Sequence, residues 1–186
     1  TYNVAIGDSA GTAITTGDNN VAVGYSAGAA ITTGNRNTLI GNAAGDALTV
    51  GIQNVAIGRE ALGADTLGSN TVAIGNGTLR AQNFTTATDT YNTAVGDQAG
   101  TAVTTGTLNT LIGGLAGDAL TDADFNVAIG YAALTSDTLG SKSVAIGRTT
   151  LSAQNFTTAT DTYNVAVGYD AGAAVTTGIQ NTLIGG

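Results

Sequence analysis

The side chains able to do chemistry in this sequence are carboxylates, hydroxyls and phenols. It carries 13 acids, five bases and six Tyr, but no His, Cys, Met, Trp or Pro. Without His or Cys the common nucleophile–base pairs cannot be built, which leaves paired carboxylates as the remaining general acid–base device. The acids keep no fixed place that would pair them. Asp8 and Asp97 directly follow a recurring glycine, whereas Asp46, Asp65, Asp118 and Asp137 lie further on. They read as solvated turn residues, which Asp favours, so no enzyme is expected. Asp122 and Asp124 in DADF are the only tight pair, and calcium requires six or more oxygens. The G-G-x-G-x-D signature of calcium-binding β-rolls is missing. No metal or other cofactor is expected.

The densest mixture of aromatics and hydroxyls is AQNFTTATDTYN, present identically at 81–92 and 153–164. It offers Phe84, Thr85, Thr86, Thr88, Asp89 and Tyr91, with Phe156, Thr157, Thr158, Thr160, Asp161 and Tyr163 as its copy. An aromatic face, hydroxyls and one carboxylate suit a sugar: stacking for the ring, hydrogen bonds for its hydroxyls. The structural alternative turns Phe84 and Phe156 inward, to fill the core as Leu67 and Leu139 do in the preceding repeats. Thr pairs recur at Thr15–Thr16, Thr32–Thr33, Thr104–Thr105 and Thr176–Thr177. A flat Thr ladder would suit ice, but Thr49–Val50 and Thr121–Asp122 interrupt it, and strand alternation would turn one Thr of each pair inward. Tyr25, Tyr131 and Tyr169 sit at one corner of the repeat and Tyr2, Tyr91 and Tyr163 at another, where rings cover edges or stack on a ligand.

Whatever these side chains do, a repeat must position them. A motif close to NVAIG returns eleven times, ending at Gly7, Gly24, Gly41, Gly58, Gly75, Gly96, Gly113, Gly130, Gly147, Gly168 and Gly185. The step is 17 in sequence number except for two of 21, Gly75 to Gly96 and Gly147 to Gly168. A fixed period of this kind marks a repeat architecture, and β-branched residues before a glycine favour a short strand and a turn. Runs such as TAITTG (12–17), AAITTG (29–34) and TAVTTG (101–106) suggest a second strand per repeat. The fold class expected is therefore all-β, a parallel β-solenoid of about 11 coils running through 1–186 as one continuous domain. Ladder motifs stand almost at each end, which reads as a piece of a longer array. The surplus of each long coil should bulge outward as a loop.

Stacking would lay like side chains on like. Asn opens nine of the eleven motifs, with Thr71 and Ser143 in the other two, so an amide ladder bonded along the axis and to turn backbone is expected. Ile or Val fills the fourth position throughout and is expected to point into the coil. Alternation then sends the third position outward: Ala5, Ala22, Leu39, Ala56, Ala73, Ala94, Leu111, Ala128, Ala145, Ala166 and Leu183. An outer stripe with no polar member reads as an oligomer interface, the alternative being an exposed strip of small residues. The coils also alternate between an Ala-Gly type (Ala10–Gly11) and Ala-Leu or Thr-Leu types (Ala61–Leu62, Thr78–Leu79, Ala133–Leu134, Thr150–Leu151). The identical stretches that begin at Ala81 and Ala153 point to duplication of a four-coil block.

A net charge of −8 and only five bases argue against nucleic acid and against anionic membrane surfaces. No apolar run nears the roughly 20 residues of a membrane span.

NVAIGYAAL (126–134), NVAVGYSAG (20–28) and SVAIGRTTL (143–151) resemble the YadA-like head repeats of trimeric autotransporter adhesins and related repeats of phage tail fibres and other surface fibres. The resemblance covers the whole chain. It implies a left-handed β-roll assembled as a homotrimer, extracellular, on a cell surface or virion fibre. The implied function is structural and adhesive, with a cell-surface glycan or other receptor as partner. Adhesin-head coils are shorter than the coils of this chain, so the likeness leans towards fibre-type relatives. An ice-binding Thr ladder is the alternative function.

Overall fold

In the computed structural model, which describes residues 2–186, the chain is all-β without a helix. It is a parallel β-solenoid of about 11 coils of roughly 17 residues. Each NVAIG motif supplies one three-residue strand, from Val4–Ile6 in the first coil to Thr182–Ile184 in the last. The eleven strands stack in chain order into one parallel sheet with like positions in register, as in Ala5 opposite Ala22 and Leu39 opposite Ala56. At about 4.8 Å per strand the ladder is roughly 48 Å long. The motif glycine ends each strand with a backbone that only glycine accepts readily. Gly113 has φ 133°, and a Cβ there would lie 2.5 Å from the Gly130 carbonyl oxygen of the next coil.

The second strand expected in each coil does not form at TAITTG and its equivalents, which are turns and bends. The amides of Thr15, Thr16 and Gly17 all converge on the Thr32 carbonyl. A pinched backbone of this kind cannot give each amide its own ladder partner. Extra strand pairing joins each long coil to the coil before it, where Gly68–Ser69 meets Thr88–Asp89 and Gly140–Ser141 meets Thr160–Asp161. Because the Thr pairs lie in turns, strand alternation does not govern them: Thr15 and Thr16 are both exposed.

The two faces of the main sheet are the reverse of the sequence reading. In the nine inner coils the third-position Ala and Leu residues face the interior, and Ala22 to Ala166, with Leu39 and Leu111, are fully buried within the single chain. In the end coils Ala5 is exposed and Leu183 half-buried. Of the stripe Ala5, Ala22, Leu39, Ala56, Ala73, Ala94, Leu111, Ala128, Ala145, Ala166 and Leu183, the nine members from Ala22 to Ala166 are therefore core and cannot be an outer interface. The fourth-position Ile and Val residues lie on the outer face, where Ile40 and Ile112 remain 37% and 38% exposed. The interior is narrow because the turn opposite the strand fills it with its own side chains, Ile14, Ile31, Leu48, Val103, Leu120 and Val175.

That turn explains the two coil types. A Cβ on Gly45 would lie 2.8 Å from Leu39 Cδ2, and one on Gly28 would lie 2.8 Å from Leu39 Cδ1. A Leu at the third position thus needs glycine in the turns above and below. Where the third position is Ala, as at Ala56, Ala73, Ala128 and Ala145, the turn carries Leu62, Leu79, Leu134 or Leu151, all fully buried. Large side chains alternate between strand and turn so that the cross-section is filled once.

Candidate functional site

The Asn ladder runs along the core edge as a hydrogen-bonded column, interrupted twice. Asn20 Nδ2 donates to the Gly34 carbonyl at 2.8 Å, and the Asn37 amide and Nδ2 both donate to Asn20 Oδ1, at 3.0 and 3.1 Å. The column breaks where Thr71 and Ser143 replace Asn, at the start of each long coil. There a buried polar group takes over. Asp65 Oδ1 accepts from the amides of Gly68 (3.0 Å) and Phe84 (3.4 Å), and Asp65 Oδ2 accepts from Gln82 Nε2 at 2.7 Å. Gln82 Nε2 also donates to Thr71 Oγ1, and Gln82 Oε1 accepts from Asn92 Nδ2. Asp137, Gln154, Ser143 and Asn164 repeat the arrangement. Asp65 and Asp137 are fully buried, not solvated turn acids as the sequence reading had them. Burial raises the Asp65 pKa, against the lowering effect of the Gln82, Gly68 and Phe84 hydrogen bonds. The sequence held a signal for this: both acids stand where other coils place Ile, Leu or Val, one coil before Gln82 and Gln154.

These groups anchor the long coils and so decide what the proposed ligand loops present. Phe84 and Phe156 are 6% and 7% exposed, packed inward, and offer no ring to a ligand. Thr88 and Thr160 are half-buried in the small paired strands. The surplus bulges outward at Thr85 and Thr86, copied at Thr157 and Thr158, all exposed. Asp89 accepts from Asn70 Nδ2 at 2.8 Å. Asp161 accepts from Lys142 Nζ at 2.6 Å, and that ammonium lies 5.2 Å from the centre of the Tyr163 ring. The hydrogen bonds from Lys142 to Asp161 and Tyr163 raise the Lys142 pKa. Tyr91 and Tyr163 stand exposed at the corner with φ 51°. Each loop thus keeps hydroxyls and one phenol at its surface and hides its Phe.

The Thr pairs do not form a free hydroxyl ladder. Thr15 Oγ1 donates to the Thr32 carbonyl at 3.0 Å and Thr49 Oγ1 to the Thr66 carbonyl at 3.0 Å, and Thr32, Thr104 and Thr121 do the same to the next coil. In the pairs at Thr15, Thr32 and Thr104 one hydroxyl is thus committed to holding the coils together.

The corner after each motif glycine carries the more varied chemistry. In the first block, Arg59 NH1 meets Glu60 Oε1 at 2.6 Å and Arg80 NH1 meets Glu60 Oε2 at 3.5 Å. Arg59 Nε donates to Asn76 Oδ1 at 3.1 Å, and Asn76 Nδ2 donates to Asp97 Oδ1 at 2.9 Å. Hydrogen bonds from Asn76 and Gln98 lower the Asp97 pKa. Arg59, Glu60, Asn76, Gly77, Arg80, Gln98 and Thr101 line an open cleft. In the second block the corner is different: the Arg148 guanidinium lies 5.9 Å from the Tyr131 ring centre and 5.3 Å from that of Tyr169, and donates to the Tyr169 hydroxyl at 2.7 Å. Among the described residues no group of three or more His, Cys, Asp or Glu could hold a metal ion. Among the described residues no helix is long and apolar enough to cross a membrane.

Comparison with family models, with curated proteins and with solved structures returns no match to this chain.

Proposed function

We propose that the chain is a segment of a homotrimeric surface fibre, outside the cell or on a virion, that spans distance rigidly and presents attachment sites. The observation that carries this reading is the outer face of the main sheet. Its two outward columns hold only Val, Ile and Thr, from Val4 and Ile6 through Val127 and Ile129 to Thr182 and Ile184. A β-branched strip about 48 Å long without one charge is costly to leave in water, and soluble monomers rarely keep so long an apolar strip. Three copies that turn this face to a common axis bury it and leave the corners and the bulges of the long coils outside. The left-handed winding and the number three come from the adhesin and fibre resemblance. The chemistry of the corners, with phenols, guanidinium groups and amides, suits a polar partner such as a cell-surface glycan.

The test is the mass in solution of the unaltered chain and of Ile112→Asp, by light scattering and sedimentation. A trimer for the parent, and a folded species of lower order for Ile112→Asp, is the expected result. A folded monomer for the parent refutes the assembly. Leu111→Asp is the control: its side chain points into the core, so it should unfold the chain rather than dissociate it.

A further inference from the structure

The chain contains its own comparison. Residues 42–113 and 114–185 are two copies of one block, and their buried groups match: Leu62 with Leu134, Asp65 with Asp137, Leu79 with Leu151, Gln82 with Gln154. Exposure alone does not set where the copies diverge, because exposed Thr85, Thr86, Asp89 and Tyr91 are retained as Thr157, Thr158, Asp161 and Tyr163. Yet every residue that lines the cleft over Gly77 differs. Arg59 becomes Tyr131, Glu60 becomes Ala132, Gly77 becomes Thr149 and Arg80 becomes Ser152. Asn76, Gln98 and Thr101 become Arg148, Asp170 and Ala173. The second copy gives Thr149 a side chain where the cleft has only Gly77, and it holds Arg148 against tyrosine rings, so the corresponding corner of the second block is built from different chemistry.

We propose that this cleft binds a saccharide that bears a carboxylate, a uronic or sialic acid unit, through Arg80. Of the two guanidinium groups in the cleft, Arg80 is the one with donors to spare: its one bond, to Glu60, is 3.5 Å long, whereas Arg59 is held at 2.6 and 3.1 Å. A planar guanidinium takes a carboxylate in two parallel hydrogen bonds. Glu60 and Gln98 supply acceptors, and Thr101 a hydroxyl, for the ring hydroxyls of such a unit. The cleft crosses three coils, about 10 Å at the inter-strand spacing, the reach of one pyranose ring and its linkage. An extended peptide is disfavoured, because the cleft amides are already used: the Gly77 amide donates to the Arg59 carbonyl at 2.8 Å and that of Gln98 to the Asn76 carbonyl at 2.9 Å. The cleft's own lining carries no apolar side chain; the apolar groove of Ala43, Ala64 and Ala81 lies on the other side of Glu60 and Arg80. This deepens the attachment role proposed above and rests on it for its biological sense, while the cleft itself lies within one chain.

The experiment titrates the full chain with trigalacturonate and 3′-sialyllactose, against trigalacturonate methyl ester and lactose as their neutral counterparts. Calorimetry gives the affinity, and amide chemical shifts give the site. At least one acidic probe should bind, shift the amides of Gly77, Arg80 and Gln98, and bind at least tenfold more tightly than its neutral counterpart. Arg80→Gln should weaken that probe at least tenfold with an unchanged melting temperature, since the side chain is 60% exposed. Equal binding of the neutral probes, no effect of Arg80→Gln, shifts centred on Tyr131, Arg148 and Tyr169, or tighter binding of an Asp-rich peptide each overturns the assignment. So does the absence of binding by both acidic probes. Light scattering on the same samples separates the two readings: a monomer that binds refutes the fibre, and a trimer that does not bind refutes the cleft.

Discussion

Leu39 and Gly45 form a size-complementary pair, and exchanging their bulk should rescue what either change alone damages. Leu39 is fully buried, and the three atoms nearest to a Cβ built on Gly45 are all from its side chain, at 2.8, 3.2 and 3.5 Å. Leu39→Ala leaves a cavity in a rigid ladder and should cost about 3 kcal/mol. Gly45→Leu drives the new side chain into Leu39. With the left-handed backbone at φ 54°, the overpacking should cost about 3 kcal/mol. Additivity would give about 6 kcal/mol for the pair. However, Ala56 with Leu62 and Ala73 with Leu79 already show the swapped arrangement, and Leu62 and Leu79 adopt φ 55° and 48°. The double variant should therefore lose only about 2 to 3 kcal/mol, the remainder being the left-handed backbone and crowding from Leu48, where the swapped coils carry Asp65 or Gln82. The coupling is then about 3 kcal/mol or more, at the upper end of what residues in contact show. Guanidinium denaturation of the four proteins, followed by β-sheet circular dichroism with m-values compared, closes the cycle. A double variant that loses the sum of the singles to within about 0.5 kcal/mol refutes the packing account.

Asn109→Ala removes the donor to the Ala123 carbonyl (2.8 Å) and the acceptor of the Asn126 amide (2.9 Å), both buried, and should cost about 3 kcal/mol by denaturant titration. Gly113→Ala should be worse, more than about 4 kcal/mol, because it combines φ 133° with the Gly130 carbonyl in the way; soluble protein with an unshifted melt would contradict this. Asp65 supplies a pH dependence. Its pKa is raised by folding, so its stabilising effect is complete below the unfolded value near 3.8 and is lost as pH rises through the folded value. Between those two points the parent should lose stability with rising pH relative to Asp65→Asn. A difference that instead grows in favour of the parent with pH would show that the hydrogen bonds outweigh desolvation.

Period, coil count and the position of the motif strand were legible in the residues. Eleven glycines at a near-constant step, each after a β-branched run, place one short strand before each glycine, whereas the second strand that TAITTG and its equivalents suggested does not form. The Asn ladder followed from the same register, because an amide repeated once per coil meets its own kind above and below. What the sequence could not settle was which face of the strand points inward. Alternation separates Ala5 from Val4 and Ile6 but assigns neither set to the core, and the usual arbiter, polarity, is silent when both faces are apolar. The turn opposite decided it. Ile31, Leu48, Val103 and Leu120 reach into the coil and leave room beside the strand only for Ala, or for Leu where the turn has Gly. Hydrophobicity would have sent the larger Ile and Val inside, but the volume left by the turn excludes them, and they form the outer face. The same holds for Asp65. Its depth depends on Gln82, Gly68 and Phe84 converging on it from two coils, a meeting that only the stacked chain creates.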